Sequence, residues 1–126
     1  MMTFSMKLLS IAVCSLAMTG CAHPPSIYQW GRYDAMLYRS YKNPEKVVEL
    51  RAGLELHIAK MEQSKQKVAP GLYAELGTLY LQGGDSVKAV SMYTKERDAW
   101  PESKGLMDVL ITNVGNRAAA QAEAKS

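Results

Sequence analysis

The side chains able to do covalent or acid–base chemistry are few and scattered. Two cysteines, Cys14 and Cys21, and two histidines, His23 and His57, are present. No paired-cysteine metal spacing, histidine-helix zinc motif, Gly-rich phosphate loop or nucleophile elbow occurs. His23 could ligate a metal, but no second ligand stands near it. His57 lies one position from Ile58, beside an apolar stripe, and reads as a boundary residue rather than a catalytic base. The carboxylates Glu49, Glu55, Glu62, Glu75 and Glu96 are spread along the chain, as on a solvated face. An enzyme needs a nucleophile–base pair in a pocket, and the sequence offers none. The expectation is a chain that is not an enzyme, with no cofactor, no metal and no small-molecule substrate.

The covalent chemistry that the sequence does spell is lipidation of Cys21. Lys7 gives a weakly positive start and Leu8 to Met18 an apolar run, with small Thr19-Gly20 before Cys21. The run Leu16-Ala17-Met18-Thr19-Gly20-Cys21 resembles a bacterial lipobox, with Met18 where leucine is commoner. In that motif the cysteine sulfur takes a diacylglyceryl group and a dedicated peptidase cuts before it. The apolar run is shorter than the roughly 20 residues that span a bilayer. Residues 1–20 are thus expected to leave as a lipoprotein signal peptide, taking Cys14 with them. Two or three acyl chains on Cys21 make a lasting membrane anchor. Ala22 follows Cys21, where aspartate commonly signals inner-membrane retention, so the expected location is the outer membrane, facing the periplasm. Residues 21–27, with Pro24 and Pro25, form an extended tether.

Length and charge limit the rest. The 126 residues make one small domain, and the formal net charge is +3 with no run of lysine or arginine. That is too little and too dispersed for a nucleic-acid surface.

Spacing predicts an all-α domain over residues 28–114 with about five helices. At its centre, Pro70 to Pro101 resembles one tetratricopeptide repeat, a unit of about 34 residues folded as a helical hairpin. Tyr73, Leu76, Gly77 and Tyr80 fall three and four apart on one helix face. Gly77 and Ala89 are small where two helices must approach closely. Gly83-Gly84 stops the first helix and Asp85 caps the second. Glu96 stands where the repeat usually has a second small residue, which predicts a wider or more polar end to the second helix. In such repeats the inner groove is lined by first-helix positions. Here these are Ala74, Thr78, Leu81 and Gln82, candidates for holding a peptide or partner helix.

The flanks must supply the neighbours that a lone repeat lacks. Residues 27–41 are rich in aromatics, and Tyr33, Leu37 and Tyr41 share a helix face by spacing. These rings are expected to pack on the open side of the repeat, with Trp30 and Tyr33 as a possible aromatic surface for a partner. Asn43-Pro44-Glu45 starts a helix running to about Lys65, with the apolar stripe Val47, Leu50, Leu54, Ile58 and Met61. Residues 64–69 read as a polar exit. After Pro101, the face Leu106, Met107, Leu110, Ile111 and Val114 suits a capping helix ending at Gly115-Asn116. Residues 115–126 are expected to form a flexible tail.

Several short motifs together resemble a family of small bacterial lipoproteins known only as domain of unknown function 4810. They are Tyr28 with Trp30-Gly31-x-Tyr33, Asn43-Pro44-Glu45-Lys46, Pro70-Gly71-Leu72-Tyr73-Ala74-Glu75 and Trp100-Pro101-Glu102-Ser103 followed by Met107. Family members tend to be encoded beside a lipoprotein similar to the curli secretion channel. The resemblance implies a protein-binding adaptor in an envelope complex, with channel-like lipoproteins as partners. The alternative is a structural or regulatory lipoprotein that binds peptidoglycan or a cell-wall synthase, with Trp30 and Tyr33 stacking on sugars.

Overall fold

Asn43-Pro44 and Trp100-Pro101 are two places where the chain must leave one helix and enter another. The residue before a proline is pushed out of the helical region. Asn43 (φ −137°, ψ 103°) and Trp100 (φ −132°, ψ 92°) are accordingly extended. Each proline opens a three-residue 3-10 turn that feeds the next helix, Pro44–Lys46 and Pro101–Ser103. The Asn43 side chain accepts the Glu45 N–H at 3.1 Å, which secures the first of these starts.

The computed structural model describes residues 26–124, and these are all-α. Residues 1–20, Cys21 and His23 lie outside the described residues, as does most of the expected tether. Five α-helices follow in order: α1 Tyr33–Lys42, α2 Val47–Gln63, α3 Leu72–Gln82, α4 Ser86–Ala99 and α5 Lys104–Glu123. Each packs on the next in sequence, so the architecture is a helix stack. No helix among the described residues is long and apolar enough to cross a membrane.

Two apolar clusters hold the stack. The first joins Leu50, Leu54, Ile58 and Met61 of α2 to Leu72, Leu76 and Leu79 of α3. The second joins Ala89 and Tyr93 of α4 to Met107 and Val114 of α5. The α3–α4 hairpin is the tightest contact. A Cβ on Gly77 would lie 2.8 Å from the Tyr93 ring and 3.2 Å from the Ala89 carbonyl, so only glycine lets the two helices come this close. Asp85 caps α4 as its position suggests, accepting the Lys88 N–H at 3.0 Å.

Four expectations need correction. The half-buried stripe of α1 is Tyr33, Met36 and Ser40, whereas Leu37 and Tyr41 are exposed. A spacing of strict fours drifts around a 3.6-residue helix, and the three-then-four spacing is the one that stays against α2. Val47 and Leu106 are exposed ends of stripes whose later members are buried or half-buried. The segment 64–69 is not wholly polar lining, because Val68 and Ala69 are buried in the first cluster. Finally, α5 continues through Gly115 and Asn116 to Glu123. The alanines at 118–120 and 122 are the best helix formers, and they carry the helix past two weak residues.

Candidate docking faces

The first-helix positions singled out in α3 are not equivalent in space. Ala74 and Leu81 are half-buried against the Tyr93–Met107–Val114 cluster, so side chains of α4 and α5 cover them. The Thr78 hydroxyl pairs with the Tyr93 hydroxyl at 3.1 Å and donates to the Ala74 carbonyl at 3.0 Å. Gln82 alone of the four is exposed. It lines a small cavity with Val47, Val48, Arg51, Leu79 and Gly83, on the α2 side of the hairpin.

The aromatic pair separates in the same way. Trp30 keeps part of its ring in solvent, and its indole N–H donates to the Ser26 hydroxyl at 3.1 Å. Tyr33 is half-buried, and burial, followed by the nearby Glu75 carboxylate, raises its phenol above the ordinary value. Of the face that spacing assigned to packing, Tyr33 is half-buried but Tyr41 is 81% exposed, and Tyr38 beside that face is 62% exposed.

Residues 26–30, before α1, are tied down by long-range contacts that local patterns do not announce. Tyr28 meets the Trp100 ring edge-on, with centroids 5.4 Å apart. The Lys67 ammonium lies over the Trp100 ring, 3.5 Å from its centroid. The Gln29 carbonyl pairs with His57 Nε2 at 2.9 Å, and the Gln29 amide donates to Gln66 at 3.1 Å. His57 is thus a positioning residue for the N-terminal segment. Gly31 adopts φ +57° directly against its ring, a place where any Cβ would collide.

Two carboxylates hold polar junctions. The Glu62 carboxylate accepts from Lys95 at 2.7 Å and from the Tyr73 hydroxyl at 2.9 Å, linking α2, α3 and α4. The Lys95 bond lowers the Glu62 carboxyl below its ordinary value, against the opposing effect of burial. Burial first, then the bond to Glu62, raises the Tyr73 phenol well above its own. Glu96 is only 1% exposed. Its Oε1 accepts the Gly71 N–H at 2.8 Å and the Ser103 hydroxyl at 3.3 Å, while Oε2 has no partner within the protein. The polar residue at a small-residue position therefore secures the start of α3 from the far end of α4.

The outer side of α5 is one helix face left open at the end of the stack. Leu106 is 63% and Val109 55% exposed there. Gly105, Val109, Thr112 and Asn116 recur at i, i+4, i+7 and i+11, which places them along one ridge. A Cβ on Gly105 would meet nothing within 4 Å, so packing within the chain does not require that glycine. Among the described residues, no three His, Cys, Asp or Glu side chains converge. The concavity at the α3–α4 turn, about 600 Å³, is open, and its polar lining is Asp85, which caps α4, and Ser86.

These features define, over the described residues, a small all-α stack of five helices. The chain belongs to the family described as domain of unknown function (DUF4810), which matches residues 27–110. No curated protein and no solved structure matches it.

Proposed function

We propose that this chain is a lipid-anchored adaptor, held at the outer membrane through Cys21 and facing the periplasm. In this reading the α3–α4 hairpin is a tetratricopeptide-like unit, and the stack receives a helix of another envelope lipoprotein. The partner would belong to a secretion-channel-like complex. The observation that carries the reading is the outer side of α5, where Leu106 and Val109 remain exposed at the end of the stack. Stacked helical units need a polar outer face or a further neighbour at each end. Leu106 and Val109, in solvent on this face, suit the second. Small residues beside those two side chains allow a partner backbone to come close.

Crosslinking in intact cells tests this reading. A photoreactive residue in place of Val109 should capture an envelope lipoprotein, and one in place of Gln82 should report whether the partner reaches the α2 side. The double variant Leu106→Asp, Val109→Asp should lose capture while melting with the parent. Recovery of no envelope lipoprotein with the intact chain would defeat the adaptor reading, as would sedimentation of the chain with purified peptidoglycan.

A further inference from the structure

Large apolar and aromatic side chains left in solvent are unevenly spread. Eleven are exposed among the described residues, and seven of them lie between Ile27 and Val48. On α1 the sides are distinct. Tyr33, Met36 and Ser40 face inward, and Leu37, Tyr38 and Tyr41 face outward. Among the described residues, α1 packs mainly on α2 and the turn that leads into it, with Tyr33 also beside Glu75 of α3, and no other helix is packed on the outward side.

Charge is uneven in the same place. Residues 26–42 hold Arg32, Arg39 and Lys42 against Asp34, a net of +2. Residues 43–126 hold eleven basic and eleven acidic side chains, a net of zero. Apart from Lys7, the whole positive excess of the chain sits on and beside α1. The Lys42 ammonium reaches over the exposed Tyr38 ring, 5.7 Å from its centroid. Exposed tyrosine beside lysine and arginine is the composition that settles at a bilayer–water boundary: the ring enters the apolar edge, and the hydroxyl and cations stay among the headgroups.

Position agrees with composition. Ser26 donates to the Tyr28 carbonyl at 2.8 Å and receives the Trp30 indole N–H at 3.1 Å, while His57 holds Gln29 on α2. The chain therefore enters the fold at a fixed point beside α1. From Cys21 to Ser26 an extended chain spans at most about 18 Å, and α1 itself is about 15 Å long. A lipid on Cys21 leaves the outward face of α1 within reach of the headgroup layer and nowhere far from it.

We infer that the outward face of α1, Leu37, Tyr38 and Tyr41 with Asp34 among them and with Arg32, Arg39 and Lys42 around it for a net of +2, docks on the anionic phospholipid surface of the membrane that carries the anchor. This rests on the reading of Cys21 as lipid-bearing. It fixes the orientation of the stack, with the N-terminal helix on the bilayer.

The test uses the full chain, processed in cells, with p-benzoylphenylalanine in place of Tyr41 or, in a second sample, Val109. Each is reconstituted into vesicles of phosphatidylethanolamine and radiophosphate-labelled phosphatidylglycerol, and irradiated. The diacylglyceryl anchor contains no phosphate, so label bound covalently to the chain reports contact with bilayer lipid. Transfer should be several times greater from position 41 than from position 109. Equal transfer from both positions overturns the inference, as does an adduct at position 41 with a protein or a second copy of the chain. Labelled palmitate on the same preparation separates the two readings. Palmitate without phosphate transfer at position 41 leaves the anchor and removes the docking face. Transfer at position 41 without palmitate leaves the docking face and removes the anchor.

Discussion

Replacing Glu96 separates a carboxylate that stabilises the fold from one that is merely tolerated. Gly71, the residue before α3, has φ +87° and no side chain with which to cap the helix. Its N–H is received instead by Glu96, across 25 positions of sequence. A hydrogen bond to a charged acceptor contributes about 1.5–3 kcal/mol net. The second bond, to Ser103 at 3.3 Å, is long and adds little. Against these stands the buried Oε2, which has no partner in the protein and whose desolvation opposes folding by about 1–3 kcal/mol. Truncation also leaves a cavity, worth about 1 kcal/mol or more for the atoms removed. For Glu96→Ala the lost bond and the cavity outweigh the relief of desolvation, and the expected loss is about 2 kcal/mol. In a domain of this size that lowers Tm by about 8–16 °C. Glu96→Gln retains an acceptor toward Gly71 and should fall by less than half as much. Thermal unfolding followed by circular dichroism measures both. Hydrogen exchange should quicken at the start of α3 in the alanine variant and not in the glutamine variant. An alanine variant melting within about 4 °C of the parent would show that the desolvation term cancels the bonds, and the capping account would fall.

Other outcomes follow from neighbouring contacts. Gly77→Ala gains about 1 kcal/mol of helix propensity but overpacks against Tyr93 for about 1–3 kcal/mol, so it should lower Tm; Gly105→Ala, with open space around it, should raise Tm. The Glu62 carboxyl is lowered on folding, so its stabilisation is present above the ordinary 4.5 and lost as pH falls through the folded value. Glu62→Gln should therefore flatten the acid side of a Tm–pH profile. Tyr73 is raised on folding, so its contribution is present below 10.0 and lost as pH climbs above it; Tyr73→Phe should flatten the alkaline side. Gly31→Ala places a Cβ at φ +57° against His57. It should cost about 1–2 kcal/mol in backbone strain alone and speed hydrogen exchange at residues 28–33.

Local chemistry made the central hairpin readable. Gly77 and Ala89 declared a close approach, Asp85 and Asn43 declared helix starts, and Leu50, Leu54, Ile58 and Met61 declared a buried side. Each of these signals acts within a few residues. What sequence did not disclose depends on distant partners. The inward side of α1 is chosen by α2, which favoured Met36 over Leu37 and left Tyr41 outside. Glu96 read as a departure from a small-residue pattern because its acceptor role is completed by Gly71 and Ser103. Among the candidate contact residues, Ala74, Thr78 and Leu81 looked equivalent to Gln82 until α4 and α5 covered them. Exposed Leu106 belonged to an apparently ordinary stripe and Val109 lay outside it, and only the end of the stack marks both as open.

The edge-on meeting of Tyr28 with Trp100 has a consequence for how the molecule comes apart. Arrays in which each unit touches only its neighbours can peel from one end, since stability is shared pairwise along the row. Here the first described residues are buckled to the close of the fourth helix by one ring-on-ring contact. Tension applied at the N-terminus would reach Trp100 directly, without first unwinding α1 and α2. Loss of the Tyr28 ring should therefore convert a single cooperative transition into stepwise fraying.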